Sequence, residues 1–376
     1  MSETGDAAVE LLAELVRTDS VNPGLVPGAA GEGPILELLR DRLSHKGFVC
    51  HTIDAAAVED RPSLVAVAPA PAGAPDAPVV VLSGHLDTVG VAGMAEPFEP
   101  RVDGDRMLGR GTADMKGGLA AMVVAAEELV AAGAPVRPVL ALVADEEDAS
   151  FGSEAVVAAL PGMGLEARVA VIGEPTDLAL CRSLRGVAVV RVTFPGRAAH
   201  SSQAHEGINA VTHLGRLLQR VDERADAVRA EGGDLMVTVA RGGSSAFVVP
   251  DHAECLVELR VPPGRPDDGA EDLVSSLLDP AWKARTELVM SRDGWRLDAD
   301  GPAAELAAAL GRRLGTSADF DAPYWMEAPL WQPLCPTLVC GPSGGGLHAV
   351  DEWVDLRQVR AFAEALVNVL GAAGAD

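Results

Sequence analysis

Apolar residues recur along this chain in two distinct rhythms. Over 7–17 the positions Val9, Leu12 and Val16 share one helical stripe, and over 34–46 Ile35, Leu38, Leu39 and Leu43 repeat it. Short runs of strand type follow at 64–68, 79–82, 139–143 and 169–172. A helical stretch over about 117–132, closed by Gly133, falls between the second and third runs. Strands apolar on both faces and separated by helices predict an α/β layer built on a mostly parallel sheet. The Pro/Ala/Gly tract 69–78 reads as a loop, because strand signals flank it too closely for a domain linker.

After about residue 183 the rhythm changes. Val187, Val189, Arg191 and Thr193 alternate with Ala188, Val190, Val192 and Phe194, as in a half-exposed antiparallel strand. A helix is predicted at 207–222, strands near 235–240 and 253–261, a helix near 271–278 and a strand near 286–290. That βαββαβ order predicts a ferredoxin-like α+β module. From about 297 the first rhythm returns, with a helix at 303–314, a strand at 336–340 and a helix at 355–370. The expected organisation is one α/β domain over 1–182 and 297–376, interrupted by an α+β module over 183–296.

A chain of 376 residues is long enough for two such domains. Its 30 Lys and Arg stand against 55 Asp and Glu, a formal charge of -25. Such a surface repels phosphate backbones and anionic lipid, so neither nucleic acid nor a membrane is expected as partner. The five cysteines include no CxxC pair, which excludes a disulfide framework and a thiolate zinc site. The first residues, MSETGDAAVELLAEL, are acidic and periodic where a signal peptide would be basic and then apolar. With no apolar run of about 18 residues, a cytoplasmic location is expected.

Five segments place acids and histidines where the α/β pattern puts strand ends. VVVLSGHLDTV carries His85 and Asp87 at i and i+2, where on extended chain Asp87 can orient His85 or its neighbourhood. GRGTADMKGG resembles a dinucleotide turn only in part, since Asp114 occupies the place of the third glycine. Its glycines leave room for an unusual backbone around that carboxylate. Asp145, Glu146 and Glu147 close a buried strand, where adjacent anions repel unless positive charge lies between them. Glu174 ends another strand, and His348 lies in a Gly-rich loop lacking the Lys-Ser/Thr of a phosphate loop. Open α/β sheets bind ligands at such strand ends. Histidine with carboxylate is a ligand set for zinc, cobalt or manganese, and a bridging carboxylate makes a two-metal site.

The segments GHLDTV, GRGxxDMKGG, DEE, GEPT and the late GPxxxxxHxxDE, in this order, resemble the M20 metallopeptidase family. Acetylornithine deacetylase, succinyl-diaminopimelate desuccinylase, aminoacylases and glutamate carboxypeptidase belong to it. The resemblance spans essentially the whole chain and includes PGRAAHSS at 195–202. It implies a zinc-exopeptidase-like catalytic domain with an inserted lid and dimerisation domain. It also implies one zinc on His85, Asp114 and Glu174 and another on Asp114, Glu147 and His348. Glu146 would be the general base for attack by metal hydroxide, with Asp87 in support. His200 would stabilise the oxyanion from the partner subunit of a homodimer, and Arg260 would bind a substrate carboxylate. The implied reaction removes an N-acyl group from an amino-acid-like substrate.

The sequence departs from that family at the substrate. Many relatives carry Asn before Val-Val-Pro, where this chain has Phe247, so the pocket is expected to be more apolar. The family's W-T-D-A segment reads Trp325-Met326-Glu327-Ala328, and the proline usual after HSS is replaced by Gln203-Ala204-His205. None of these touches an implied ligand. Rival expectations are a dipeptidase or carboxypeptidase, a biosynthetic enzyme acting on an unusual amide, and a non-catalytic metal-binding scaffold. Retention of Glu146, which binds no metal in this scheme, opposes the last.

Overall fold

A computed structural model describes residues 2–58, 60–265 and 269–372. The chain divides into two compact units, one of Met1–Cys181, Leu297–Phe320 and Leu330–Asp376, the other of Arg182–Arg296 and Asp321–Pro329. Asp321–Pro329 therefore groups with the inserted unit, where the sequence pattern assigns 297–376 whole to the first. The cause is local. Asp319–Ala322 forms a short strand in a three-stranded sheet with Leu180–Leu184 and Trp295–Arg296. In that sheet the outgoing and returning segments lie side by side, Trp295 opposite Leu184 and Arg296 opposite Ser183.

The first unit is built on a six-stranded sheet. Its order is Val49–Asp54, Pro62–Val67, Arg137–Val143, Val79–His85, Ala167–Ile172, Thr337–Val339. The last four run parallel, while the first two pair antiparallel, so the sheet is mixed. Val79–His85 is buried at every position, as a central strand covered on both faces must be. Helices Glu3–Arg17, Gly117–Ala131 and Leu356–Gly371 pack together, and Gly33–His45 and Phe151–Ala159 pack on the antiparallel edge.

Strand ends and helix starts meet closely on the side that carries the site. A Cβ on Gly118, in the first turn of its helix, would lie 2.0 Å from the Gly173 carbonyl oxygen. Only glycine lets the helix after the Asp114 turn approach the chain between Ile172 and Glu174. A smaller sheet fixes the late loop: Gly344–Gly345 pairs with Trp353–Asp355, which pairs with Arg106–Leu108. The chain around His348 is thereby tied to the strand that leads into the Asp114 turn.

The second unit has the chain order β-α-β-β-α-β. Its antiparallel sheet runs Asp234–Gly242, His252–Val261, Gly186–Pro195, Arg285–Arg292. Helices Ala210–Ala230 and Ala270–Ser276 pack on it, and Phe194, Leu214, Leu217, Val257 and Trp282 form their shared core. This is the spatial plan of the split βαβ unit. Among the described residues no helix is long and apolar enough to cross a membrane.

Candidate functional site

Five residues expected from the sequence converge in the first unit. His85 ends its strand, Asp114 lies in the turn Thr112–Lys116, Glu147 and Glu174 follow strand ends, and His348 occupies the late loop with φ of 60°. Asp114 Oδ1 is 3.1 Å from His85 Nε2, and Asp114 Oδ2 is 3.3 Å from His348 Nε2. His85 Nε2 is 3.9 Å from Glu174 Oε1, and His348 Nε2 is 3.0 Å from Glu147 Oε2. Two groups result, His85–Asp114–Glu174 and Asp114–Glu147–His348, each with its ligand atoms within 4.8 Å of one another. One carboxylate belongs to both.

Such crowding of anions shows in the ionisation of the groups. Burial opposes a charge on His85, yet Asp114, Glu174, Glu146 and Asp87 raise its pKa well above the ordinary 6.5. Hydrogen bonds to Asp114 and then Glu147 push His348 up to about 10. Burial also opposes the Asp114 charge, but the two imidazoles hold that carboxyl well below the usual carboxylate range. Burial and the neighbouring Asp114 raise Glu147. The cluster draws positive charge onto its imidazoles, the same demand a divalent cation meets. Glu147 Oε1 is buried with no hydrogen-bond partner among the described residues, which fits a ligand oxygen.

His85 is oriented through its other nitrogen. Nδ1 donates to the Asp87 backbone carbonyl at 2.9 Å, which turns Nε2 towards Asp114. The Asp87 carboxylate lies 3.7 Å from Nδ1 and is engaged elsewhere. It accepts the backbone N–H groups of Glu146 and Glu147, each at 3.1 Å, and Asn22 Nδ2 at 2.7 Å. Asp87 thus supports the neighbourhood of His85, holding the loop that carries Glu146.

Several site residues escape a reading of the sequence alone. Glu352 is 1% exposed and accepts from Arg110 Nη1 at 2.7 Å and from the N–H groups of Gly111, Ala113 and Asp114 at 2.9–3.2 Å. Arg110 also donates to the Ala349 carbonyl at 3.0 Å, tying the Asp114 turn to the His348 loop. Arg110 stands inside GRG and Glu352 ends HxxDE, so both motifs carried a signal. Lys116, fully buried, donates to the carbonyls of Leu15 and Thr18 and closes the helix before the site. A cavity of about 570 Å³ between Val80, Val169, Leu306 and Arg312 contains none of the expected site residues. Ligand chemistry, and not cavity size, locates the site.

The other expected residues belong to the second unit. His200 is exposed, and its Nδ1 accepts the Ser202 N–H at 3.2 Å. Ser201 N–H donates to the Phe247 carbonyl at 3.0 Å, so His200 and Phe247, the latter 72% exposed, lie on adjoining segments. Arg260 does not join them. It pairs with Val187 at one end of a ladder whose other end pairs His252 with Pro195, and its Nε donates to Glu258 at 2.8 Å.

Comparison with known proteins decides the family. The model for peptidase family M20/M25/M40 matches residues 81–372. The chain belongs to that family. It is accordingly a hydrolase acting on amide bonds, with an α/β fold of the M20 type. An acetylornithine deacetylase of Myxococcus xanthus is 30% identical, over 96% of this chain and 95% of its own. A probable carboxypeptidase of Aspergillus terreus is 36% identical, over 54% of this chain and 49% of its own, about half of each. Among solved structures, a tripeptidase of Staphylococcus aureus superposes with a TM-score of 0.82 at 18% identity, covering 99% of both chains.

Proposed function

We propose that this M20 hydrolase is a two-cation deacylase that removes an acyl group from the nitrogen of an amino-acid-like substrate. The observation that carries the reading is Asp114, which turns one oxygen to each of two imidazole–carboxylate groups. His85, Asp114 and Glu174 would hold one ion, and Asp114, Glu147 and His348 the other. Zinc suits these donors, with cobalt or manganese as substitutes. When bound, the ions polarise the scissile carbonyl and make water more acidic.

The chain's own residues supply the proton transfers and the binding. Glu146, held through its backbone by Asp87, takes the proton of the attacking water on its carboxylate and delivers it to the leaving nitrogen. With Nδ1 accepting from Ser202, the His200 proton resides on Nε2, free to donate to the carbonyl oxygen as negative charge develops there. Arg260 would fork onto the substrate carboxylate. Phe247, beside His200, favours an apolar acyl group over one that needs an amide contact.

A dimer, as the family resemblance implies, is compatible with the spacing inside the second unit. From His252 to Arg260 is eight positions of strand, or about 26 Å at roughly 3.3 Å per residue. One small substrate cannot touch both ends of that ladder, so Arg260 and His200, the latter five residues beyond Pro195, would act on one molecule only from two copies of the chain. The deacylase preference draws on the full-length Myxococcus xanthus relative. The half-length Aspergillus terreus match favours a second reading, a carboxypeptidase or dipeptidase with the same residues. A cytoplasmic setting agrees with five free cysteines.

The test is turnover of pooled N-acyl amino acids and dipeptides by zinc- or cobalt-loaded protein, followed by mass spectrometry. Release of the free amino acid from one N-acyl substrate is the expected result. A requirement for a free α-amino group would move the assignment to a dipeptidase. Glu146→Ala should keep its metal content and lose roughly 10²–10⁴-fold in kcat; surviving activity would remove Glu146 as the base.

A further inference from the structure

Beneath the Glu146–Glu147 loop lies a buried polar network that the reaction above does not use. Asn22 and Glu32 are 0% exposed, Asp145 is 1% and Arg61 is 5%. Arg61 donates Nε and Nη2 to the Glu32 carboxylate at 2.8 and 2.5 Å, and Nη1 to Asp145 Oδ1 at 2.8 Å. Glu32 in turn accepts the Asp145 backbone N–H at 3.1 Å. Asn22 Nδ2 bridges Asp87 Oδ2 at 2.7 Å and Asp145 Oδ1 at 3.2 Å.

The backbone N–H groups of Asp145, Glu146 and Glu147 all go to side-chain carboxylates, those of Glu32 and Asp87. Arg61 and Asn22 lock these carboxylates to each other through Asp145. The network also holds Asp145 at φ of 67°, a left-handed conformation less favourable for any residue with a Cβ than for glycine. Burying two carboxylates against one guanidinium is a poor route to stability, and apolar packing of the same volume commonly does better. Geometry is what the network provides.

We infer that Arg61 and Asn22 are positioning residues that set the Glu146–Glu147 loop and, through it, the Asp114–Glu147–His348 group. The His85–Asp114–Glu174 group leans on them less, since its ligands stand on two strand ends and on the turn held by Glu352, and His85 meets Asp87 through the backbone carbonyl and not the carboxylate that Asn22 holds. This inference rests on the two-cation reading.

The experiment is zinc binding to chelator-stripped full-length protein, by calorimetry and by metal analysis after gel filtration. Wild type should take two ions per chain. Arg61→Met and Asn22→Ala should keep one at wild-type affinity and bind the other about 10- to 100-fold more weakly. Arg61→Lys should recover only part of the loss, because an ammonium cannot fork across Glu32 while reaching Asp145. Arg61→Met strands two buried anions, so if it fails to fold, the uncharged Asn22→Ala carries the test. Two ions at wild-type affinity in folded Asn22→Ala overturn the positioning role alone, as does equal weakening of both. Fewer than two ions in wild type overturn the two-cation reading and this inference together.

Discussion

His348 is exposed and yet pairs with two carboxylates of the cluster. Its pKa rises from 6.5 to about 10 because the imidazolium bonds Asp114 and Glu147. A folded pKa above the unfolded one gives stability that is complete below about 6.5 and fades as pH rises towards 10. Metal-free protein should therefore melt at progressively lower temperature across that window. His348→Ala should flatten the slope, and zinc, which displaces the proton, should remove it. A melting temperature constant from pH 6.5 to 10 would contradict the imidazolium–carboxylate pairing. At this scale the ligands were legible because each lies in a short motif at a strand end. Asn22, Glu32 and Arg61 were not, because they reach Asp145 from far away in the chain and no local pattern marks a buried ion network.

Elements set how those residues approach one another. The close contact of Gly118 with the Gly173 carbonyl predicts that Gly118→Ala forces the helix away from the strand end. A backbone oxygen cannot rotate aside, so a loss of about 1–3 kcal/mol in urea unfolding is expected, with weaker zinc binding. Unchanged stability and zinc affinity would show that the two elements have room to part. Buried strands and amphipathic helices were readable because burial forces their composition. Val49–Asp54 left no such trace, being largely exposed, with Val49 itself 58% exposed. The short helix Phe151–Ala159 follows Ser150, which is left-handed and makes no side-chain cap hydrogen bond, so the serine there does not act as an ordinary helix start. The antiparallel edge of the main sheet was missed for a related reason: strand direction depends on connections, which periodicity does not record.

For the whole molecule, the proposed function builds each of two active sites from two chains. Glu146→Ala and His200→Ala should each be inactive alone. After mixing under conditions that let subunits exchange, about a quarter of wild-type activity should return, since half the dimers then hold one intact site. No recovery from a mixture that has demonstrably exchanged would place His200 in its own chain's reaction or outside it. The inserted module was legible from its change of rhythm, but the grouping of Asp321–Pro329 with it was not, since one short strand makes that link. The paired strands Leu180–Leu184 and Trp295–Arg296 carry a wider meaning. The main segment of the module departs and returns at neighbouring backbone positions, with Asp321–Pro329 added later in the chain, so that segment behaves as a cassette hung on a closed loop. Recombination could insert, exchange or delete such a cassette without rethreading the sheet that holds the carboxylates. New substrates could then evolve in the cassette while the hydrolytic centre is inherited unchanged.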